Sequence, residues 1–269
     1  TRAKTYVVQE VHANARTALE IIAQKIRASR GLEPLPTDID PVGAIDVSTA
    51  SNPTSMGSQR KIFWDSINNR WWAFYNNGTA IEYSYSTDGS TWTPVTTTGQ
   101  ATSDFSLWHD KDSTSIYLVY SAGGVGTKVQ KGTITGGGIS IDWGVGAVTA
   151  DTTSSPSFPT ITKDSNGFLW ISFVIDVSVN AFVYAARSSN PDDISAWNPR
   201  QTVHGPDPDN VNTFSEQSVV SLSTAGDVYF IWSLGNGVYG RRWNANTGSF
   251  GVVQPIDTSS VNRLSAVST

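Results

Sequence analysis

The sequence contains no cysteine, which excludes disulfides, thiolate nucleophiles and cysteine-ligated zinc or iron–sulfur centres. Its three histidines, His12, His109 and His204, show no metal-ligand spacing, so no histidine-based metal site is predicted. No apolar run reaches the roughly 18 residues that mark a membrane-spanning helix. The chain carries few charges (15%) and a formal net charge of −5, which argues against a nucleic-acid partner.

Glycine and aromatic residues are abundant, with 23 Gly, 10 Trp, 9 Tyr and 10 Phe. This composition favours many short strands joined by tight turns. The clearest element is a hairpin in which a polar turn leads into an aromatic strand. Its four copies span 62–76, 105–122, 159–176 and 218–235.

Each hairpin is followed by a third apolar strand and a weaker fourth one. The third strands are predicted at 81–87, 127–135, 181–189 and 237–245, and the fourth near 94–97, 145–149, 200–203 and 252–256. Four consecutive strands per unit are typical of a β-propeller blade. The predicted fold is mainly β and propeller-like, with four recognisable four-stranded units, a partial fifth and one N-terminal amphipathic helix.

The chain is predicted to have three regions. Residues 1–30 have apolar positions at helical spacing, such as Val11, Ala15, Ala18 and Ile22, and form an amphipathic helix. Residues 31–42 contain three prolines and form an extended linker. Residues 43–269 form the propeller-like domain.

The β region begins and ends with related segments. Residues 252–269 parallel 42–65, so 43–48 is predicted to be an outer strand and 263–269 an inner strand of an incomplete unit. An open propeller leaves unpaired edges, which favours a chain that is part of a longer polypeptide. A five-unit ring in which the two ends share one blade is the alternative.

A turn in the first unit resembles the Asp-box of sialidase-type propellers. Ser86, Asp88, Gly89, Thr91 and Trp92 match its pattern, in a loop one residue shorter than the strict form. A looser version occurs at 188–197. In that family the Asp-box is a structural turn remote from the active site, so the resemblance implies a fold and not sialidase activity.

Residues 5–30 resemble the helix of type IV minor pilins and pseudopilins, through the run from Gln9 to Arg16 and the apolar positions up to Ile26. Family members begin with a prepilin-peptidase site and an apolar membrane segment, and neither is present in this sequence. The resemblance implies association with other pilin-like subunits through this helix, and a location at the cell surface or outside the cell.

In a propeller, ligands bind where the inner strands begin and where the second strands turn into the third. The predicted ligand-binding residues at this end are Arg60, Asp104, Trp108, His109, Asp176, Glu216, Gln217 and Arg263. Arg60 and Arg263 suit a carboxylate ligand. The sialidase resemblance implies three such arginines, and a third is not found.

Glu216 and Asp104 form the only plausible nucleophile and acid pair, with Arg60 beside them. Solvated loop carboxylates are the simpler interpretation. His109 is interpreted as a hydrogen-bonded channel residue, and most tryptophans as packing between blades. No cofactor is predicted; Asp207 and Asp209 are candidate Ca²⁺ ligands, for which a proline-rich turn is the simpler interpretation.

Three functions follow from this inventory. The first is an extracellular or cell-surface recognition module, such as a pilin-like subunit that displays a glycan-binding propeller for adhesion. The second is a sialidase-like glycoside hydrolase using carboxylates at the propeller axis. The third is a purely structural surface protein.

Overall fold

Strands account for almost all regular structure in the computed structural model, which describes residues 48–50, 53–54, 56–93, 96–102, 104–144, 146–177, 180–205, 214–222, 225–234 and 237–258. The one helical element in these ranges is a 3-10 turn at Gly123–Val125. The predicted helix at 1–30, the linker at 31–42 and the terminal strands at 43–48 and 263–269 lie mostly or wholly outside them. No helix in the described part is long and apolar enough to cross a membrane.

The described strands form four antiparallel sheets, each built from consecutive strands. Blade 1 contains β1 (Ile62–Asp65), β2 (Arg70–Asn76), β3 (Ile81–Ser86) and β4 (Thr96–Thr97). Blade 2 contains β5 (Phe105–His109), β6 (Ser115–Ser121), β7 (Thr127–Thr135), β8 (Ser140–Asp142) and β9 (Val148–Asp151). Blade 3 contains β10 (Pro156–Lys163), β11 (Leu169–Val177), β12 (Asn180–Arg187) and β13 (Gln201–His204). Blade 4 contains β14 (Phe214–Ser221), β15 (Val228–Leu234), β16 (Gly237–Asn244), β17 (Ser249–Phe250) and β18 (Gln254–Asp257).

The sheets confirm the predicted repeat and the propeller-like fold class. Within each sheet the innermost strand pairs with the second, and the second with the third. The inner strands β10 and β14 begin at 156 and 214, three and four residues before the predicted hairpins. Each of these two strands has a register shift near its start. The shift allows strand pairing to continue past the point where the alternation of side chains is interrupted.

The outer edge of every blade is short or divided. In blade 2 both β8 and β9 pair with β7, and in blade 4 both β17 and β18 pair with β16. The outer strands therefore contain only two to four residues each.

Hydrophobic clusters join consecutive blades face to face. Phe63, Trp72 and Phe74 of blade 1 pack with Phe105 and Leu118 of blade 2. Equivalent clusters join blade 2 to blade 3 and blade 3 to blade 4. Apolar alternation along the strands produces this arrangement, because successive side chains point to opposite faces.

The tryptophans differ widely in burial. Trp72, Trp170 and Trp232 are almost fully buried, as predicted for packing between blades. Trp64 and Trp71 are instead 38% and 39% exposed, and their rings contact each other with centroids 4.9 Å apart. They lie on the face of blade 1 opposite the one that packs against blade 2.

Carboxylates anchor the turns between third and fourth strands. Asp88 Oδ1 accepts hydrogen bonds from Ser86 Oγ and from the Ser90 and Thr91 N–H groups, at 2.7–2.9 Å, and these bonds lower its pKa. Gly89 has a φ of +74°, which glycine tolerates best. The turn therefore has the hydrogen bonds expected from its sequence, while its Trp92 is half-buried.

Asp227 has a similar role in blade 4. Its carboxylate accepts the Ala245 N–H at 2.7 Å and pairs with Arg242. These contacts lower the pKa of Asp227, with the backbone hydrogen bond as the larger cause.

Candidate functional site

The ends at which the inner strands begin form one side of the domain, here called the front face, where Gln59, Asp104, Phe158 and Gln217 are found. Gln59 precedes β1, Asp104 precedes β5, and the other two belong to β10 and β14. All four are connected by hydrogen bonds. The topology of consecutive blades thus brings together residues up to about 160 positions apart.

Asp104 is the centre of this connection. Its Oδ1 accepts a 2.5 Å hydrogen bond from Gln59 Nε2, and its Oδ2 accepts one of 2.7 Å from the Phe158 N–H. Its backbone carbonyl accepts the Ser121 N–H at 3.0 Å. One carboxylate therefore links blades 1, 2 and 3.

A buried lysine lies beside this carboxylate. Lys61 is 8% exposed; its ammonium group donates to Gln59 Oε1 at 3.1 Å and to the Phe105 carbonyl. Burial lowers the pKa of Lys61 well below its usual range, and the charge of Asp104 opposes that shift. Burial likewise raises the pKa of Asp104, against its hydrogen bonds and the charge of Lys61.

Gln217 closes the same network from blade 4. Its Nε2 donates to the carbonyls of Phe158 and Ser172, the latter at 2.9 Å, and its Oε1 accepts from the Ser172 hydroxyl. Gln217 and Ser172 have no exposed surface. We call Gln59, Lys61, Asp104, Ser172 and Gln217 the axial network; its polar atoms are paired with one another and with backbone groups.

Three other predicted site residues contact each other or the core. The Arg60 guanidinium lies over the Trp108 indole, 4.8 Å from its centroid, and Trp108 Nε1 donates to Asp110 Oδ1 at 3.0 Å. His109 is buried and stacks on Phe63 with ring centroids 4.3 Å apart. Burial lowers the pKa of His109, so the imidazole is neutral at physiological pH.

The remaining predicted residues are described only in part. Glu216 and Asp176 have backbone positions in β14 and β11, opposite Ser233 and Ala181, but their side chains lie outside the described part. Arg263, and the candidate Ca²⁺ ligands Asp207 and Asp209, lie outside it altogether. The Glu216–Asp104 pair therefore remains a prediction. The described residues contain no cluster of three or more histidine, aspartate or glutamate side chains that would hold a metal ion.

Beside the axial network the front face has an open pocket of about 540 Å³ between blades 1 and 2. Its lining consists of residues 100–102, 120–123 and Lys128. The Tyr120 hydroxyl donates to Gln100 Oε1 at 2.7 Å, and Gln100 Nε2 donates to Gln130 Oε1 at 3.1 Å. Burial raises the pKa of Tyr120 to about 12, so its hydroxyl is neutral.

The pocket lies at the same end of the blades as the predicted site residues, but none of the predicted residues lines it. Gln100, Tyr120 and Lys128 belong to no motif, and they meet only because the loop after β4 runs beside β6 and β7 of the next blade. The signal in the sequence was the prediction that ligands bind at the loops before the inner strands and after the second strands, because both loops contribute residues to the pocket lining.

No protein-family model matches the sequence, and no curated protein matches it significantly. Solved structures do resemble it in fold. An ulvan lyase, described as a new family of polysaccharide lyase, superposes with a TM-score of 0.56 at 11% identity, over 78% of this chain and 56% of that one.

Two further structures give a TM-score of 0.51. The α-L-arabinanase of Penicillium chrysogenum, in complex with arabinobiose, is 13% identical over 78% of this chain and 70% of that one. A protein of unknown function from Dyadobacter fermentans is 16% identical, over 79% and 72%. At these identities the likeness concerns the fold, which is propeller-like. The chain spans about half the length of the lyase.

Proposed function

We propose that this protein is a carbohydrate-recognition module whose binding site is the front-face pocket between blades 1 and 2. The observation that carries the proposal is the pocket itself, whose 540 Å³ falls within the roughly 300–1,000 Å³ of small-molecule sites. Two structural neighbours are described as acting on or binding saccharides, which supports this class of ligand.

The lining suits a polyhydroxylated ligand. Thr102, Tyr120 and Gln100, which carry hydroxyl and amide groups, line the pocket together with residues 121–123. Both the oxygen and the nitrogen of the Gln100 side-chain amide are hydrogen-bonded within the protein, so these polar groups are ordered before a ligand arrives. Preorganisation lowers the entropy that binding must offset.

Binding rather than hydrolysis is proposed because the axial carboxylate is already engaged. Both oxygens of Asp104 accept hydrogen bonds from the protein, and Lys61 lies beside it. A carboxylate that holds three blades together has to break these bonds before it can act on a substrate.

The test is a glycan array probed with the full chain, followed by calorimetry on the best ligand. Replacing Gln100 with alanine should weaken binding at least tenfold, because the Tyr120 hydroxyl loses its partner. Gln254→Ala is the matched control, since Gln254 accepts a hydrogen bond from Tyr229 on blade 4, far from the pocket. The absence of any glycan ligand would favour a purely structural surface protein.

A glycoside hydrolase that uses Glu216 and Asp104, with Arg60 nearby, is the second candidate. The observation in its favour is that burial raises the pKa of Asp104, which is the direction of shift that a general acid needs. A panel of fluorogenic glycosides that includes a sialoside separates the two proposals. If a glycoside is hydrolysed by the wild type and not by Glu216→Gln, the hydrolase proposal is supported and the recognition-only proposal is refuted.

We further propose that the module acts outside the cell or at its surface, where the pilin-like helix at 1–30 joins it to similar subunits. This rests on the sequence resemblance alone. Cell fractionation and cross-linking of the full chain test the location and the association.

A further inference from the structure

The pocket contains a lysine for which the described residues provide no hydrogen-bond or ion-pair partner. Lys128 lies on β7 and lines the pocket, and its backbone is in register with Tyr120. Within the described part of the chain, no hydrogen bond or ion pair engages its ammonium group. Two other lysines associated with blades 2 and 3 do have partners, since Lys131 donates to the Asp192 carbonyl and Lys163 pairs with Asp110 and Asp192.

The carboxylates next to the pocket are already occupied. Asp151, in register with Thr127, pairs with Arg200 at 3.2 Å and accepts the Thr153 N–H at 2.9 Å. The backbone carbonyl of Asp104 accepts a hydrogen bond from the pocket residue Ser121. Both carboxylate oxygens of Asp104 accept hydrogen bonds from Gln59 and Phe158. The positive charge of Lys128 is therefore not neutralised by its immediate surroundings.

Every other residue of the lining is uncharged. The pocket thus combines hydroxyl and amide groups with a single positive charge. We propose that it takes an acidic saccharide, whose carboxylate or sulfate group pairs with Lys128 while its hydroxyls contact Thr102, Tyr120 and Gln100. This inference rests on the proposed carbohydrate recognition and names the class of sugar.

The expected strength follows from one charge-assisted contact. Such hydrogen bonds contribute about 1.5–3 kcal/mol, which corresponds to roughly a ten- to hundredfold change in the dissociation constant. The chain has a net charge of −5, so long-range attraction of an anion is not expected. The effect should therefore appear mainly in the dissociation rate.

The test measures binding of three size-matched oligosaccharides to the full chain by calorimetry: a neutral galactan fragment, an oligogalacturonate and a sulfated galactan fragment. We expect at least one acidic ligand to bind more than tenfold tighter than the neutral one. Comparison of the two acidic ligands tells whether a carboxylate or a sulfate is preferred.

Variants at Lys128 separate charge from shape. Lys128→Met should weaken acidic ligands at least tenfold and leave neutral binding within twofold, and Lys128→Arg should retain the acid preference. Lys111→Met is the control, because Lys111 is exposed on the turn at the opposite end of blade 2. It should bind all three ligands like the wild type.

Equal affinity for neutral and acidic ligands, or an unchanged acid preference in Lys128→Met, would overturn this inference and leave carbohydrate recognition intact. Failure of all three ligands, together with a negative glycan array, would overturn the proposed function itself.

Discussion

Removal of the Asp104 carboxylate should destabilise the fold more than any other single change at the front face. In Asp104→Ala, the Gln59 amide and the Phe158 N–H lose acceptors at 2.5 and 2.7 Å. The buried Lys61 also loses its neighbouring negative charge. Phe158 has a φ of +56°, an unfavourable conformation for a non-glycine residue that surrounding contacts must maintain.

The magnitude follows from these groups. Two hydrogen bonds to a charged group are lost, which at about 1.5–3 kcal/mol each amounts to about 3–6 kcal/mol. We expect Asp104→Ala to lower the free energy of unfolding by about that amount. Asp104→Asn, which keeps one acceptor oxygen, should cost about 1–3 kcal/mol.

A double-mutant cycle tests whether Asp104 and Lys61 interact. Combining Asp104→Asn with Lys61→Met removes both charges, so the double variant should be more stable than the sum of the two single effects predicts, by at least 1 kcal/mol. Urea unfolding followed by tryptophan fluorescence provides the free energies. A loss below 1 kcal/mol in Asp104→Ala, or additive effects within 0.5 kcal/mol, would refute the role assigned to the axial network.

Three further predictions concern the blades. Trp72→Ala should cost about 3–5 kcal/mol and Trp71→Ala about 1 kcal/mol, because the first side chain is buried and the second half-exposed; equal urea midpoints would contradict the assigned faces. Gly126→Ala should destabilise more than Gly99→Ala in thermal unfolding: both have positive φ, but only at Gly126 would a Cβ fall 1.9 Å from a backbone oxygen. Folding lowers the pKa of Asp227. Its carboxylate therefore stabilises the fold at pH values above its pKa in the unfolded chain, about 3.9, and this contribution is lost as the pH falls through the lower pKa of the folded state. Asp227→Asn should therefore be less stable at pH 7 and lose less stability between pH 5 and 2, as measured by urea unfolding at several pH values; parallel curves for variant and wild type would count against this.

The strands were predictable because alternation is a local signal. Segments 70–76 and 115–121 are rich in aromatic and other apolar residues and directly follow a polar turn, and the structure places strands there. The predicted fourth strands overlap β4, β9, β13 and β18. The additional outer strands β8 and β17 were not predicted, since they contain three and two residues, too few to form a pattern.

The hydrogen bonds among the candidate site residues were not predictable from the sequence. Asp104 and Gln217 were expected on the front face, and both belong to the axial network. Their partners are 45 or more positions away in sequence, so only the fold brings them together. Lys61 follows the polar run at 57–60 and looks like a loop residue, yet it is buried because Gln59 and the Phe105 carbonyl accept its hydrogen bonds.

The short outer strands affect how readily copies of this protein aggregate at high concentration. An exposed strand of ordinary length presents a template on which another molecule can extend a sheet. Here each blade ends in two to four paired residues, too few to support such growth. Sheet extension from one copy of this chain to another is therefore disfavoured at these edges, even at high local concentration.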